Sequence, residues 1–184
     1  MKKLFSSKEQ IGNLILQADD NLETKFLISQ FDTLKNKRTP FYLSLAELEL
    51  IFKWKLRTQY ARTSKIRLKN SNENIKLITQ MAFLLSHPDK NIETSLKLKA
   101  LTLIYGVEIP VASAILTLCF PKKYSVIDFR NWRQVFDEQK RKTQYSVSEY
   151  CNYLDIINSL ATEFSFTTQE IDMAIWQKDI NENG

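Results

Sequence analysis

Gly106 is one of only three glycines in the 184-residue sequence, and it stands between two apolar helical patterns too close together for an ordinary loop. Leu101, Leu103 and Ile104 lead into Tyr105-Gly106-Val107-Glu108-Ile109. Pro110 then opens a run, Val111 to Cys119, that is apolar on nearly every side. Glycine accepts the positive φ that ends a helix, and proline suits a first helical position, where its missing N–H costs nothing. The spacing predicts a tight helical hairpin whose second helix starts with free backbone amides, a natural site for a phosphate. The chain continues through Pro121-Lys122-Lys123-Tyr124-Ser125 to Val126-Ile127-Asp128, where one carboxylate follows two β-branched residues. Asp128 is the candidate reactive group. It opens a helix expected over 128–137, where the helix dipole favours negative charge, and the same position also suits a plain N-cap.

Helix signals dominate the rest of the chain and strand signals are nearly absent, so the expected fold class is all-α. Ser6-Ser7 caps a first helix with Ile11, Leu14, Ile15, Ala18 and Leu22 at spacings of three and four, which breaks near Asp19-Asp20-Asn21 and resumes with Phe26, Phe31 and Leu34. Thr39-Pro40 ends it. Ser44-Leu45-Ala46-Glu47, Ser146-Val147-Ser148-Glu149 and Thr167-Thr168-Gln169-Glu170 read as capping boxes. A helix expected over 92–105 carries the stripe Leu96, Ala100, Leu103 and Ile104, with Lys97 and Lys99 pointing elsewhere. The tail over 179–184 reads as frayed. With no repeat, low-complexity tract or linker, one domain is expected.

A net charge of +5 and a pI near 9.1 favour a polyanionic partner. Clustering strengthens this. Lys53, Lys55, Arg57, Arg62, Lys65, Arg67 and Lys69 share one segment without an acidic residue, and Arg130, Arg133, Lys140, Arg141 and Lys142 follow Asp128. The two sets are expected to flank one groove. Cys119 and Cys151 read as buried thiols, and two cysteines cannot hold an iron–sulfur cluster. His87 is the only histidine, so neither a zinc site nor a histidine-assisted nucleophile has material to work with. No stretch approaches a membrane span of ~20 apolar residues. A cytoplasmic monomer is expected.

The segment resembles the helix-hairpin-helix (HhH-GPD) DNA glycosylases, whose motif has the form L-P-G-V-G-x-K-x-A-x-x-I-L followed by an apolar pair and an aspartate. Leu103-Ile104-Tyr105-Gly106-Val107 and Ala112-Ser113-Ala114-Ile115-Leu116 carry the likeness, with Asp128 22 residues beyond Gly106. It covers roughly a fifth of the chain. Three positions depart from the pattern: Glu108 replaces the second hairpin glycine, Pro110 replaces the lysine with which bifunctional members form a Schiff base, and Arg130 replaces a histidine. The resemblance implies two lobes, one built mainly from residues 40–120 and the other from 1–39 with 121–184, with hairpin and aspartate at the cleft between them. It further implies a monofunctional DNA N-glycosylase acting on a damaged or modified base in duplex DNA. Asp128 would stabilise charge on the sugar and activate water, while Gly106, Val107, Ile109, Lys55, Arg57, Arg62 and Arg130 would hold DNA. Trp54, Gln59 and Tyr60 would line the base pocket or wedge into the duplex. No cofactor and no protein-held metal are implied; a monovalent cation at the hairpin stays open. The alternatives are a non-catalytic DNA-binding module on the same scaffold, to which the three departures point, and a helical protein-interaction domain.

Overall fold

The computed structural model describes residues 3–18 and 21–184, and every regular element among them is helical. In order these are α1 (Lys8–Gln17), α2 (Asn21–Lys37), α3 (Leu45–Leu56), a 3-10 segment (Arg57–Thr63), α4 (Ser64–Arg67), α5 (Asn72–Leu84), α6 (Lys90–Leu101), α7 (Ile109–Cys119), α8 (Phe129–Phe136), α9 (Val147–Phe164) and α10 (Thr168–Asn183). No helix is long and apolar enough to cross a membrane among the described residues. The three sequence-predicted capping boxes form with both reciprocal hydrogen bonds, at Ser44, Ser146 and Thr167. Each satisfies amides that would otherwise be orphaned at a helix start.

The helix that is apolar all round becomes the centre, as such a helix must. Every residue of α7 from Val111 to Cys119 is buried, and α2, α3 and α6 pack against it. On the other side of the chain order, α10 packs against α1, α8 and α9, and α6 touches both α5 and α9. One continuous apolar cluster joins these groups. Both cysteines are buried within them.

Three local expectations are corrected. In α2 the buried face carries Thr24, Leu27 and Phe31, so Leu22 and Phe26, one turn apart on the opposite side, face solvent; Asp19 and Asp20 of the expected break lie outside the described residues. In α6 the helix stops at Leu101; Ala100 and Ile104 of the expected stripe are buried, but Leu96 and Leu103 are exposed, and Thr94, Lys97, Leu98 and Leu101 fill the buried face instead. Lys97 tolerates burial because its ammonium lies 3.4 Å from Glu93 Oε1 and donates to the Phe83 carbonyl at 3.2 Å; burial still holds it below its usual range. Finally, α10 runs to Asn183 instead of fraying, because Asp179 is fully buried against α8 and anchors the last turns.

Candidate active site

Asp128 reaches its position at the end of an extended segment, Tyr124 to Ile127, that is buried yet pairs with no strand. Buried backbone groups must be satisfied somewhere, and here helix side chains do it. Ile127 N–H donates to Ser113 Oγ of α7 at 3.1 Å and Val126 N–H to Asp172 Oδ2 of α10 at 2.9 Å. Tyr150 and Tyr153 of α9 donate to the carbonyls of Ser125 (2.8 Å) and Val126 (3.0 Å). Three helices thus grip the segment and hold the residue that follows it.

The two oxygens of Asp128 are used differently. Oδ1 accepts from the amides of Arg130 (3.0 Å) and Asn131 (3.1 Å), so the N-cap reading is correct. Oδ2 lies 3.5 Å from Lys55 Nζ of α3, with the Asp128 side chain 24% exposed and that of Lys55 11%. The cap fixes the carboxylate without closing it off.

Two cavities meet at this pair. The smaller, about 110 Å³, is lined by Trp54, Met173 and Trp176 together with the polar side chains of Thr24, Thr117, Asn131, Gln169 and Asp172. The larger, about 860 Å³, is lined by the hairpin from Thr102 to Glu108, by Gln59, and by Arg141 and Lys142 from the loop after α8. Among all these lining residues, Lys55 and Asp128 alone belong to both. An apolar aromatic cavity with a few converging polar groups is the usual form of a small-ligand site.

The hairpin forms as its sequence requires. Gly106 takes φ +85°, and a Cβ there would sit 3.1 Å from Arg67 Cγ. Asn70 clamps the turn through both sides of its amide, donating to Tyr105 O at 2.9 Å and accepting from Tyr105 N at 3.0 Å. Glu108 occupies the N-cap of α7 without a side-chain cap bond. The amides of Val111 and Ala112 fold back onto its carbonyl, at 2.9 and 2.8 Å. Pro110 has no N–H, so the first turn presents the Ile109 amide, fewer free donors than the sequence suggests. Val107 is buried and serves the core.

The basic residues divide sharply. Lys55, Arg141 and Lys142 line the larger cavity, and Arg62 is exposed on the 3-10 segment. Arg57 lines the smaller cavity at φ +48°, an unfavourable conformation for a residue with a Cβ, and pairs with Glu23 at 2.8 Å. Arg67, expected on a solvated basic face, is instead buried, paired with Glu49 at 3.2 Å and stacked 3.9 Å from the Tyr60 ring. Tyr60 donates to Glu49 at 2.6 Å and lines neither cavity. Arg130 and Arg133 both bind Asp179. Trp54 donates to Thr24 Oγ1 at 3.1 Å and lines the smaller cavity, whereas Gln59 lines the larger.

Sequence reasoning missed the contribution of α10. Gln169, Asp172, Met173 and Trp176 recur at three and four along its cavity-facing side, beside a buried apolar face of Ile171, Ala174 and Ile175. A stripe of that spacing mixing amide, acid and indole next to an apolar one was the available signal. Asp172 accepts from Val126 N, from Asn131 Nδ2 at very short range, and lies 3.2 Å from Tyr153 Oη. Burial, with the nearby charge of Asp128 adding to it, pushes its carboxyl up to about 8; the Val126 amide, Lys55 and Tyr153 act in the opposite direction.

No protein-family model, curated protein or solved structure matches the chain.

Proposed function

We propose that this chain is a DNA N-glycosylase on a two-lobed HhH-GPD-type scaffold, removing a damaged or modified base from duplex DNA with Asp128 as charge stabiliser and water activator. One observation carries the proposal: a partly exposed carboxylate with one oxygen fixed by a helix N-terminus and the other 3.5 Å from the Lys55 ammonium stands where an aromatic pocket meets a larger cavity built from the hairpin. The pocket suits a base taken out of the stack, at an unstacking cost of a few kcal/mol. The larger cavity suits the sugar-phosphate chain, with the Ile109 amide and the Arg141 cation nearby; Lys142 also lines it but is paired with Glu149 at 2.6 Å. Breaking an N-glycosidic bond develops positive charge on the sugar, which a fixed carboxylate stabilises, as in glycoside hydrolysis.

The test is incubation with duplexes carrying a panel of altered bases, followed by detection of abasic sites. Release from at least one duplex is expected; binding without release would favour the second reading, a DNA-binding module. That alternative draws on Glu108, whose acidic side chain is exposed beside the first turn of α7 in the larger cavity, where a phosphate would approach.

A further inference from the structure

The smaller cavity holds a second carboxyl group, Asp172, which competes with a buried carbonyl for one phenol hydrogen. Tyr153 Oη sits 3.0 Å from the Val126 carbonyl and 3.2 Å from Asp172 Oδ1, and it also receives Asn131 Nδ2 at 3.2 Å. A phenol has one hydrogen to give. If that hydrogen serves the buried Val126 carbonyl, the remaining contact joins two acceptors, an oxygen pair that needs a hydrogen between them. A protonated Asp172 supplies it: Tyr153 then donates to Val126 and accepts from Asn131 and Asp172, while Asn131 Oδ1 stays without a partner. The charged and titratable groups facing Asp172 are Asp128 from the start of α8, Lys55 from α3, and Tyr150 and Tyr153 from α9. Two carboxyl groups lining one cavity in unlike surroundings, one buried and one half-open, are the arrangement in which acid and base roles separate.

Resting on the glycosylase reading, we infer that Asp172 is the general acid of the reaction, protonating the leaving base, and that the substrate class is therefore a base that is uncharged when bound. The C1′–N bond breaks with its electron pair passing to the base, and the Asp172 proton moves to a ring nitrogen or carbonyl oxygen of that base. Water forms the new bond to C1′ and gives its proton to Asp128. The Tyr153 hydroxyl then turns from the Val126 carbonyl to the carboxylate left on Asp172. Asp128 releases its proton to solvent and Asp172 takes one up, which restores the starting state. The net reaction consumes one water. A buried carboxyl that stays protonated up to about pH 8 is available for this step at neutral pH.

The test compares two leaving groups: uncharged altered bases from the panel, and 7-methylguanine, which is already cationic and gains nothing from an acid. With wild-type protein, release of an uncharged base should fall as pH rises through about 8, where Asp172 gives up its proton, while 7-methylguanine release shows no such limb. Asp172→Asn should slow the uncharged base by about 100-fold or more beyond whatever it costs 7-methylguanine release. Independently of activity, carbon-13 carboxyl NMR of the wild-type protein, assigned with that variant, should show Asp172 protonated at pH 6.5. An ionised Asp172 at that pH, or equal losses for both leaving groups, would overturn the inference while leaving the glycosylase reading intact. Base release from no duplex would overturn the glycosylase reading, and the inference with it, even if the NMR shows the proton.

Discussion

Helix α8 carries two acid–base clusters that look alike in sequence and differ in every physical respect. On its flank, Arg130 and Arg133, one turn apart, converge on Asp179 of α10 at 3.0 and 2.6 Å, and the acid is completely buried. At its start, Asp128 meets the single ammonium of Lys55 at 3.5 Å and stays partly open to two cavities. The first cluster has two guanidinium groups on one carboxylate, with Gln134 as a further donor. It is saturated, so it fastens α10 to α8 and has nothing left for a ligand. The second has a carboxylate oxygen held in a fixed place, with one ammonium 3.5 Å away and no other partner among the described residues. Charge near a cleft therefore does not by itself mark a binding residue; what matters is whether its partner is already supplied.

Substitutions separate the two clusters. The largest effect is expected for Asp179→Ala, which leaves two guanidinium groups without their carboxylate and should cost about 3–5 kcal/mol of stability, read by urea unfolding. Burial raises the Asp179 carboxyl, but Arg133, Gln134 and Arg130 outweigh it and hold the group below the ordinary carboxylate range. Its stabilisation is therefore fully present above the unfolded value of about 3.9 and disappears as pH falls through the lower folded value. The difference between wild type and variant should shrink on acidification through that window, and a constant difference would contradict the ion-pair account.

Gly106→Ala should cost about 1–2 kcal/mol, since the position requires positive φ and the new Cβ would press on Arg67. Thermal unfolding measures this, and duplex affinity should fall in parallel if the hairpin contacts the backbone. The smallest effect on stability is expected for Lys55→Met, under about 1 kcal/mol because the ion pair is partly solvated. Its signature lies in DNA binding, where the slope of log affinity against log salt should drop by about 1. Arg130→Met should leave that slope unchanged, because its charge is committed to Asp179.

Local rules made much of the scaffold legible in sequence. Ser44, Ser146 and Thr167 announce their helices because a capping box is built within four residues, and Gly106 with Pro110 announces the hairpin in the same way. Asp128 was legible as a position, though not the division of labour between its oxygens. What escaped depends on long-range pairing. Arg67 belongs to a basic run in the chain but to Glu49 and Tyr60 in space, and Lys97 is pulled into the interior by Glu93 and the Phe83 carbonyl. Asp172 lies 44 residues beyond Asp128, on a helix whose cavity-facing side is set only when α10 packs on α8 and α9. The stripe of Gln169, Asp172, Met173 and Trp176 marks a polar face of α10, but the spacing does not reveal that Asp172 meets Val126, Asn131 and Tyr153 on three other parts of the chain.

The role of Asp128 is read from the rate of base release by Asp128→Asn on whichever duplex the wild-type protein cleaves best. Asparagine is as good an N-cap as aspartate, so unfolding should shift by less than about 1 kcal/mol, while the loss of the negative charge should slow release by about 100-fold or more. An unchanged rate in a stably folded variant would contradict the account.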